Sequence, residues 1–173
     1  RRIAGLDFVT SLSLGGSREL SDDGLLALAQ MPQLENLNLS EYRGGNLTDR
    51  GLEVLRHLQN LKRFEMTWQS GVSDAGMANL RFCQLIEHVN LMGSPTGDGA
   101  IAALAGKPNL QRFSTGRHVT DAGLPRLHEF PRLRTWHGPP PAAIDPRSSD
   151  EAGHLLIDGP FTDRGFAGLA GLE

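Results

Sequence analysis

One phrase recurs along this chain at near-regular intervals. It reads LSDDGLLALAQM from Leu20, LTDRGLEVLRHL from Leu47, VSDAGMANLRFC from Val72, VTDAGLPRLHEF from Val119 and FTDRGFAGLAGL from Phe161. Such a repeat constrains the fold more than any single motif, because a short unit cannot bury its own apolar face and must stack on its neighbours. The apolar residue closing each motif serves as an anchor: Leu25, Leu52, Met77, Ile101, Leu124 and Phe166, with gaps of 27, 25, 24, 23 and 42 residues. Apolar residues recur at offsets 3, 6, 9, 12 and 14 from the anchor, as in Leu28, Met31, Leu34, Leu37 and Leu39. The second unit repeats them as Leu55, Leu58, Leu61, Phe64 and Met66, and the third as Leu80, Cys83, Ile86, Val89 and Leu91.

The period changes within each unit. Offsets 0, 3 and 6 mark one stripe of a helix, whereas offsets 12 and 14 alternate as a strand does, turning Asn36 and Asn38 away from the buried Leu37 and Leu39. Proline at offset 7 (Pro32, Pro108, Pro131) ends the helix. The expected fold is therefore α/β: a parallel sheet of short strands with helices packed behind it, on the outside of a curve. A hydrophobic content of 39% is ample for the core, and the single Cys83 rules out an internal disulfide framework.

This pattern resembles the leucine-rich repeat proteins, and most of all their cysteine-containing class, known from F-box substrate receptors and many bacterial proteins with (S/T)DxGL before the helix. The resemblance spans nearly the whole chain. It implies a right-handed solenoid, with the parallel sheet on the concave face and helices on the convex face. The sequence departs from the class three residues past the second strand leucine, where Cys, Asn or Thr is usual and Ser17, Tyr42, Gln69, Ser94 and His118 stand here.

The repeated motif reads as construction. Ser21, Thr48, Ser73, Thr120 and Thr162 occupy helix N-cap positions. The following Asp22, Asp49, Asp74, Asp98, Asp121 and Asp163 suit a first helical turn, where the macrodipole favours a carboxylate. Each motif glycine lets adjacent turns approach. The fourth copy has Gly97 for the cap and Ala100 for the glycine, so a less sharp helix start is expected there. A calcium-binding row of aspartates is the competing reading, but one carboxylate per rung supplies few ligands, and no metal or cofactor is expected.

Residues 1–173 are expected to form a single array of about seven partial or full repeats, and the abrupt ends suggest a piece of a longer chain. The long last gap contains GPPPAAIDPRSSDEAG, from Gly138 to Gly153, whose four prolines exclude an ordinary helix. A degenerate repeat near 138–160 is expected there, its strand surviving in HLLID, with a loop interrupting the array as the alternative. Trp136 falls on a buried offset.

Function is expected on the inner sheet face. One exposed column reads Ser11, Asn36, Arg63, His88, Arg112 and Thr135; the next reads Ser13, Asn38, Glu65, Asn90, Ser114 and His137. Trp68, just past a strand, is a candidate aromatic anchor. These mixed polar columns suit a protein or peptide ligand. A net charge of -3 gives no cause to expect nucleic acid, and no apolar run approaches the ~18 residues of a membrane span. Seven acidic and two basic residues lie between Glu19 and Glu53, against six basic and two acidic between Ala105 and Arg134, a polarity able to orient a partner. There is no phosphate loop, CxxC or HExxH, and Cys83 reads as a small buried hydrophobe. The expectation is a non-enzymatic protein-interaction module with a cytoplasmic lean. The alternative is the substrate-recognition part of an enzyme, a ubiquitin ligase or bacterial effector, whose catalytic domain lies outside this chain. End-to-end self-association through uncapped repeats is a further expectation.

Overall fold

The computed structural model of the chain describes residues 6–17, 19–41, 45–131 and 154–170. Where apolar residues alternate, three-residue strands form: β1 (Ser11–Ser13), β2 (Asn36–Asn38), β3 (Arg63–Glu65), β4 (His88–Asn90), β5 (Arg112–Ser114) and β6 (His154–Leu156). They join one parallel sheet in chain order. Parallel neighbours need a crossover, and a helical segment lies between each successive pair: α1 (Asp22–Leu26) running into a 3-10 turn at Ala27–Gln30, a 3-10 helix at Gly51–His57, α2 (Asp74–Met77) running into 3-10 at Ala78–Phe82, α3 (Asp98–Leu104), and 3-10 at Leu124–Glu129. After β6 comes α4 (Asp163–Ala167).

The abundance of 3-10 helix follows from the spacing. Residues three apart eclipse one another at three residues per turn. In an α-helix the side chain at offset 6 would be rotated about 120° from the anchor. Leu52, Leu55 and Leu58 thus form a single line in Gly51–His57, and all three are fully buried. The same offsets build the rest of the core: Leu34, Leu37 and Leu39 in one unit, Leu61, Phe64 and Met66 in the next, Ile86, Val89 and Leu91 in the third. The fourth unit breaks the apolar rule twice. Offset 6 is Lys107, buried, with Nζ donating to Arg81 O at 2.8 Å, and offset 14 is the buried Thr115.

Successive units are joined by the motif aspartates. Asp22 accepts from the backbone N–H of Thr48 (2.8 Å) and from its hydroxyl (2.6 Å). Asp49 does the same to Ser73, Asp98 to Thr120 and Asp121 to Thr162. The cap hydroxyls also accept from the start of their own helical turn, as in Ala75 N to Ser73 Oγ (3.2 Å) and Ala122 N to Thr120 Oγ1 (3.2 Å). Each aspartate therefore reaches forward to the next unit, a role beyond serving its own helix dipole. The motif glycine makes room for it: a Cβ at Gly51 would lie 2.5 Å from Asp22 Oδ1, and one at Gly123 2.1 Å from Asp98 Oδ1.

Two expectations are corrected. The fourth motif, without hydroxyl or motif glycine, still starts a helix at its aspartate, and α3, at seven residues, is the longest α-helix among the described residues. Asp74 replaces the missing hydroxyl contact by accepting three backbone N–H groups, from Gly97 (2.8 Å), Gly99 (2.9 Å) and Ala100 (3.1 Å). The second correction concerns the last unit. Thr135 and His137 were expected beside Arg112 and Ser114, yet β5 takes its second neighbour from β6, with Arg112 in register with His154 and Ser114 with Leu156. The strand expected in HLLID forms as β6, and the rest of the expected degenerate repeat, up to residue 153, lies outside the described residues. The strand nearest the next cap prevails: Leu155 precedes Thr162 by seven residues, the spacing of Phe113 to Thr120. Thr135, Trp136 and His137 lie outside the described residues.

The bridge predicts coupled energetics. Gly51→Ala should destabilise by about 1–3 kcal/mol through overpacking, and Asp22→Ala by a similar amount through lost charge-assisted bonds. In the Asp22→Ala background the glycine substitution should cost far less, since the clashing carboxylate is gone and alanine restricts the unfolded chain. Urea unfolding of the four proteins checks this, and strictly additive penalties would contradict it.

The Asp121 carboxyl is held below the usual carboxylate range, first by the Thr162 backbone N–H, then by the Thr162 hydroxyl and Arg164, against a small opposing desolvation. A depressed folded value means that the stabilisation is present above the unfolded value of about 3.9 and is lost as pH falls through the lowered one. An NMR titration should find the Asp121 carboxyl changing below pH ~3.9, with the Thr162 amide signal moving in step.

Candidate functional site

The sheet has one face against the helical layer and one open. The central residues Leu37, Phe64, Val89 and Phe113 point into the core and are buried, so their neighbours in each strand face outward. Register aligns Ser11, Asn36, Arg63, His88 and Arg112 in one row, and Ser13, Asn38, Glu65, Asn90 and Ser114 in the other. Both expected columns are thus brought together as far as β5, with adjacent members separated by the ~4.8 Å between strands.

Within the rows, polar groups fix one another. Asn38 Nδ2 donates to Glu65 Oε2 at 3.0 Å, and Asn38 Oδ1 accepts from Ser40 N at 2.9 Å. Arg63 Nη1 lies 3.8 Å from Glu65 Oε1, with the arginine side chain 47% exposed. Asn90 Oδ1 accepts from Met92 N at 3.1 Å. His88 and Arg112 are half-buried, and Ser114 is buried at the rim of the face. A shallow cavity of about 340 Å³ opens over β1 to β3, with Ser11, Ser13, Asn36, Asn38, Arg63 and Glu65 around a floor of Leu12 and Leu37.

Trp68 lies just beyond β3 and is 47% exposed. Its backbone is left-handed (φ 62), an unusual state for a bulky residue. Two contacts hold it: its N–H donates to Met92 O at 2.9 Å, and its ring covers Gly93, where a Cβ would come within 2.4 Å of the indole. The indole is thereby held part-exposed just past β3, and local strain of this kind clusters at functional sites. At the three-past position, Ser94 Oγ donates to Leu91 O (2.6 Å) and Gln69 Nε2 to Leu39 O (2.9 Å), so the loop is bonded by different groups from rung to rung.

Among the described residues no group of three or more His, Cys, Asp or Glu is placed to hold a metal ion, and no helix is long and apolar enough to cross a membrane. Cys83 is fully buried at offset 6, beside Lys107. Burial pushes its thiol up to about 12, with the Lys107 charge opposing, and burial likewise lowers the Lys107 amine. Lys107 escapes a reading by residue type, but counting six from Ile101 places it in the apolar column.

The fold and site thus define an α/β protein with a six-stranded parallel sheet and an open polar face. No family model matches the sequence. Part of the chain is similar to ATP synthase subunit s, mitochondrial, of Homo sapiens, 36% identical over 72 residues, covering 40% of this chain and 36% of that protein. The Pongo abelii protein of the same name is 35% identical over 72 residues, with the same shares. The chain therefore spans 36% of the length of these curated relatives.

A thiol so displaced stays protonated at neutral pH, and the thiolate is the reactive species. Native protein should react with a disulfide reagent at least ~100-fold more slowly than urea-unfolded protein, followed as release of the coloured thiolate. Fast labelling of the native state would show the core open at this position.

Proposed function

We propose that the chain is a leucine-rich repeat solenoid whose open sheet face, on the concave side, binds a protein or peptide, with the helices forming the convex side. The single observation that carries this reading is the strict register of Asn36, Arg63, His88 and Arg112 beside Asn38, Glu65, Asn90 and Ser114. Such a wall of side chains, differing from rung to rung, provides complementarity over an extended segment. The strained, exposed Trp68 just past β3 supplies the kind of aromatic anchor that dominates binding energy. The similarity to a protein named as a subunit of a larger assembly supports association with other chains. The module recognises and does not react.

The test is affinity capture from cells of the source organism followed by mass spectrometry, with wild type, Arg63→Glu and a helical-layer control, Glu129→Arg. Proteins retained by wild type and the control should be depleted about tenfold by Arg63→Glu, equivalent to ~1.4 kcal/mol. Its melting temperature should stay nearly unchanged, because the Arg63–Glu65 pair is long, 3.8 Å, with the arginine exposed, and such pairs are worth at most ~1 kcal/mol. Equal capture by all three proteins would overturn the assignment of the open face.

A further inference from the structure

A second surface stands apart on the helical layer. Phe82 and Leu85 are exposed there, at 36% and 41%. The Arg81 guanidinium lies 4.7 Å from the Phe82 ring centroid and that of Arg56, from the preceding unit, 5.8 Å. The two cations are thus no more than 10.5 Å apart, and both contact one apolar ring. Arg56 is fixed across the units: its Nε donates to Oδ1 of the buried Asn79 at 2.8 Å, and Asn79 Nδ2 is anchored on Gly76 O. That bond leaves the Nη groups of the fork directed elsewhere.

Several other surface cations hold carboxylates. Arg50 pairs with Asp23, Lys62 with Glu35, Arg63 with Glu65 and Arg126 with Glu129. Neither Arg56 nor Arg81 has a carboxylate within 4.0 Å among the described residues; each has the Phe82 ring instead. A ring contacted by two cations attracts no further cation, since its quadrupole is already engaged. It offers a carboxylate two guanidinium forks and an apolar seat shared by both.

We propose that the Arg56–Phe82–Arg81 patch docks an acidic segment of a partner protein in which an apolar residue lies between two carboxylates. In an extended chain, alternate residues on one side are separated by about 6.6–6.8 Å, within the span set by the two arginines. The patch is separate from the open sheet face and is independent of its role.

The probe is a fluorescein-labelled peptide of alternating glutamate and leucine, with vesicles of phosphatidylcholine and phosphatidylserine as the second arm. The peptide should bind the whole chain, weaken on raising the salt, and shift the side-chain Nε–H signals of Arg56 and Arg81 in NMR spectra. Arg56→Ala with Arg81→Ala should reduce affinity at least about tenfold, and Phe82→Ala should weaken it further, while Arg63→Glu leaves it unchanged. Undisturbed arginine signals in wild type, or equal affinity in the double variant, would overturn the proposal. So would vesicle binding through these arginines without peptide binding, which would assign the patch to an anionic lipid surface.

Discussion

Four of the junctions between units depend on one small group, a hydroxyl that serves two partners. Thr48, Ser73, Thr120 and Thr162 each accept from a backbone N–H at the start of their own helical turn while donating to the aspartate of the preceding unit. The backbone N–H of the same residue binds the second carboxylate oxygen. Both oxygens are thus engaged, and the carboxylate sets the separation and rotation of neighbouring turns. Apolar stacking alone is non-directional and would tolerate sliding; the charged bonds are short and directed. Glycine is demanded by the same geometry, because the carboxylate occupies the space of a Cβ. Motif residues far from the sheet therefore help to hold the register that aligns the rows on it.

That chain of dependence explains why the motif is so regular and the open face so varied. Residues that accept, donate or make room in the bridge have no freedom. The outward residues of β2 to β5 stand on the face away from the apolar core, so Asn, Arg, His and Arg can follow in one row without disturbing it. The helical layer obeys the same logic. Asn79, buried and bonded to Gly76 O, belongs to the framework, while Arg56 and Phe82 beyond it belong to the surface.

Much of the architecture was legible because burial follows a fixed count from each anchor. Offsets 0, 3, 6, 9, 12 and 14 named the buried residues of three units and, through alternation, both outward rows up to Arg112 and Ser114. The forward reach of the aspartates was not legible, since an aspartate after a cap residue reads equally well as a partner of its own helix dipole. The last strand was legible in HLLID, but not that it would pair directly with β5. Leu155 and Trp136 both sit at strand-like offsets, and only the fixed distance from strand to following cap separates them. Lys107 was hidden by its type: its long methylene stem substitutes for an apolar side chain while its amine reaches the carbonyl of Arg81.

Repetition itself is a poor guide to function in such a molecule. The aspartate row is its most conspicuous charged feature, yet both oxygens of Asp22, Asp49, Asp98 and Asp121 are committed to the next unit. A ligand competing for one would have to replace two directed bonds and loosen the stack. Groups that do not repeat carry no such obligation: the left-handed Trp68 has no counterpart with positive φ on another non-glycine residue among those described, and in the Arg56–Phe82–Arg81 cluster two guanidinium groups contact one exposed ring. Recognition is carried by what each rung adds to the shared frame, and it is these departures that would distinguish one array of this construction from another.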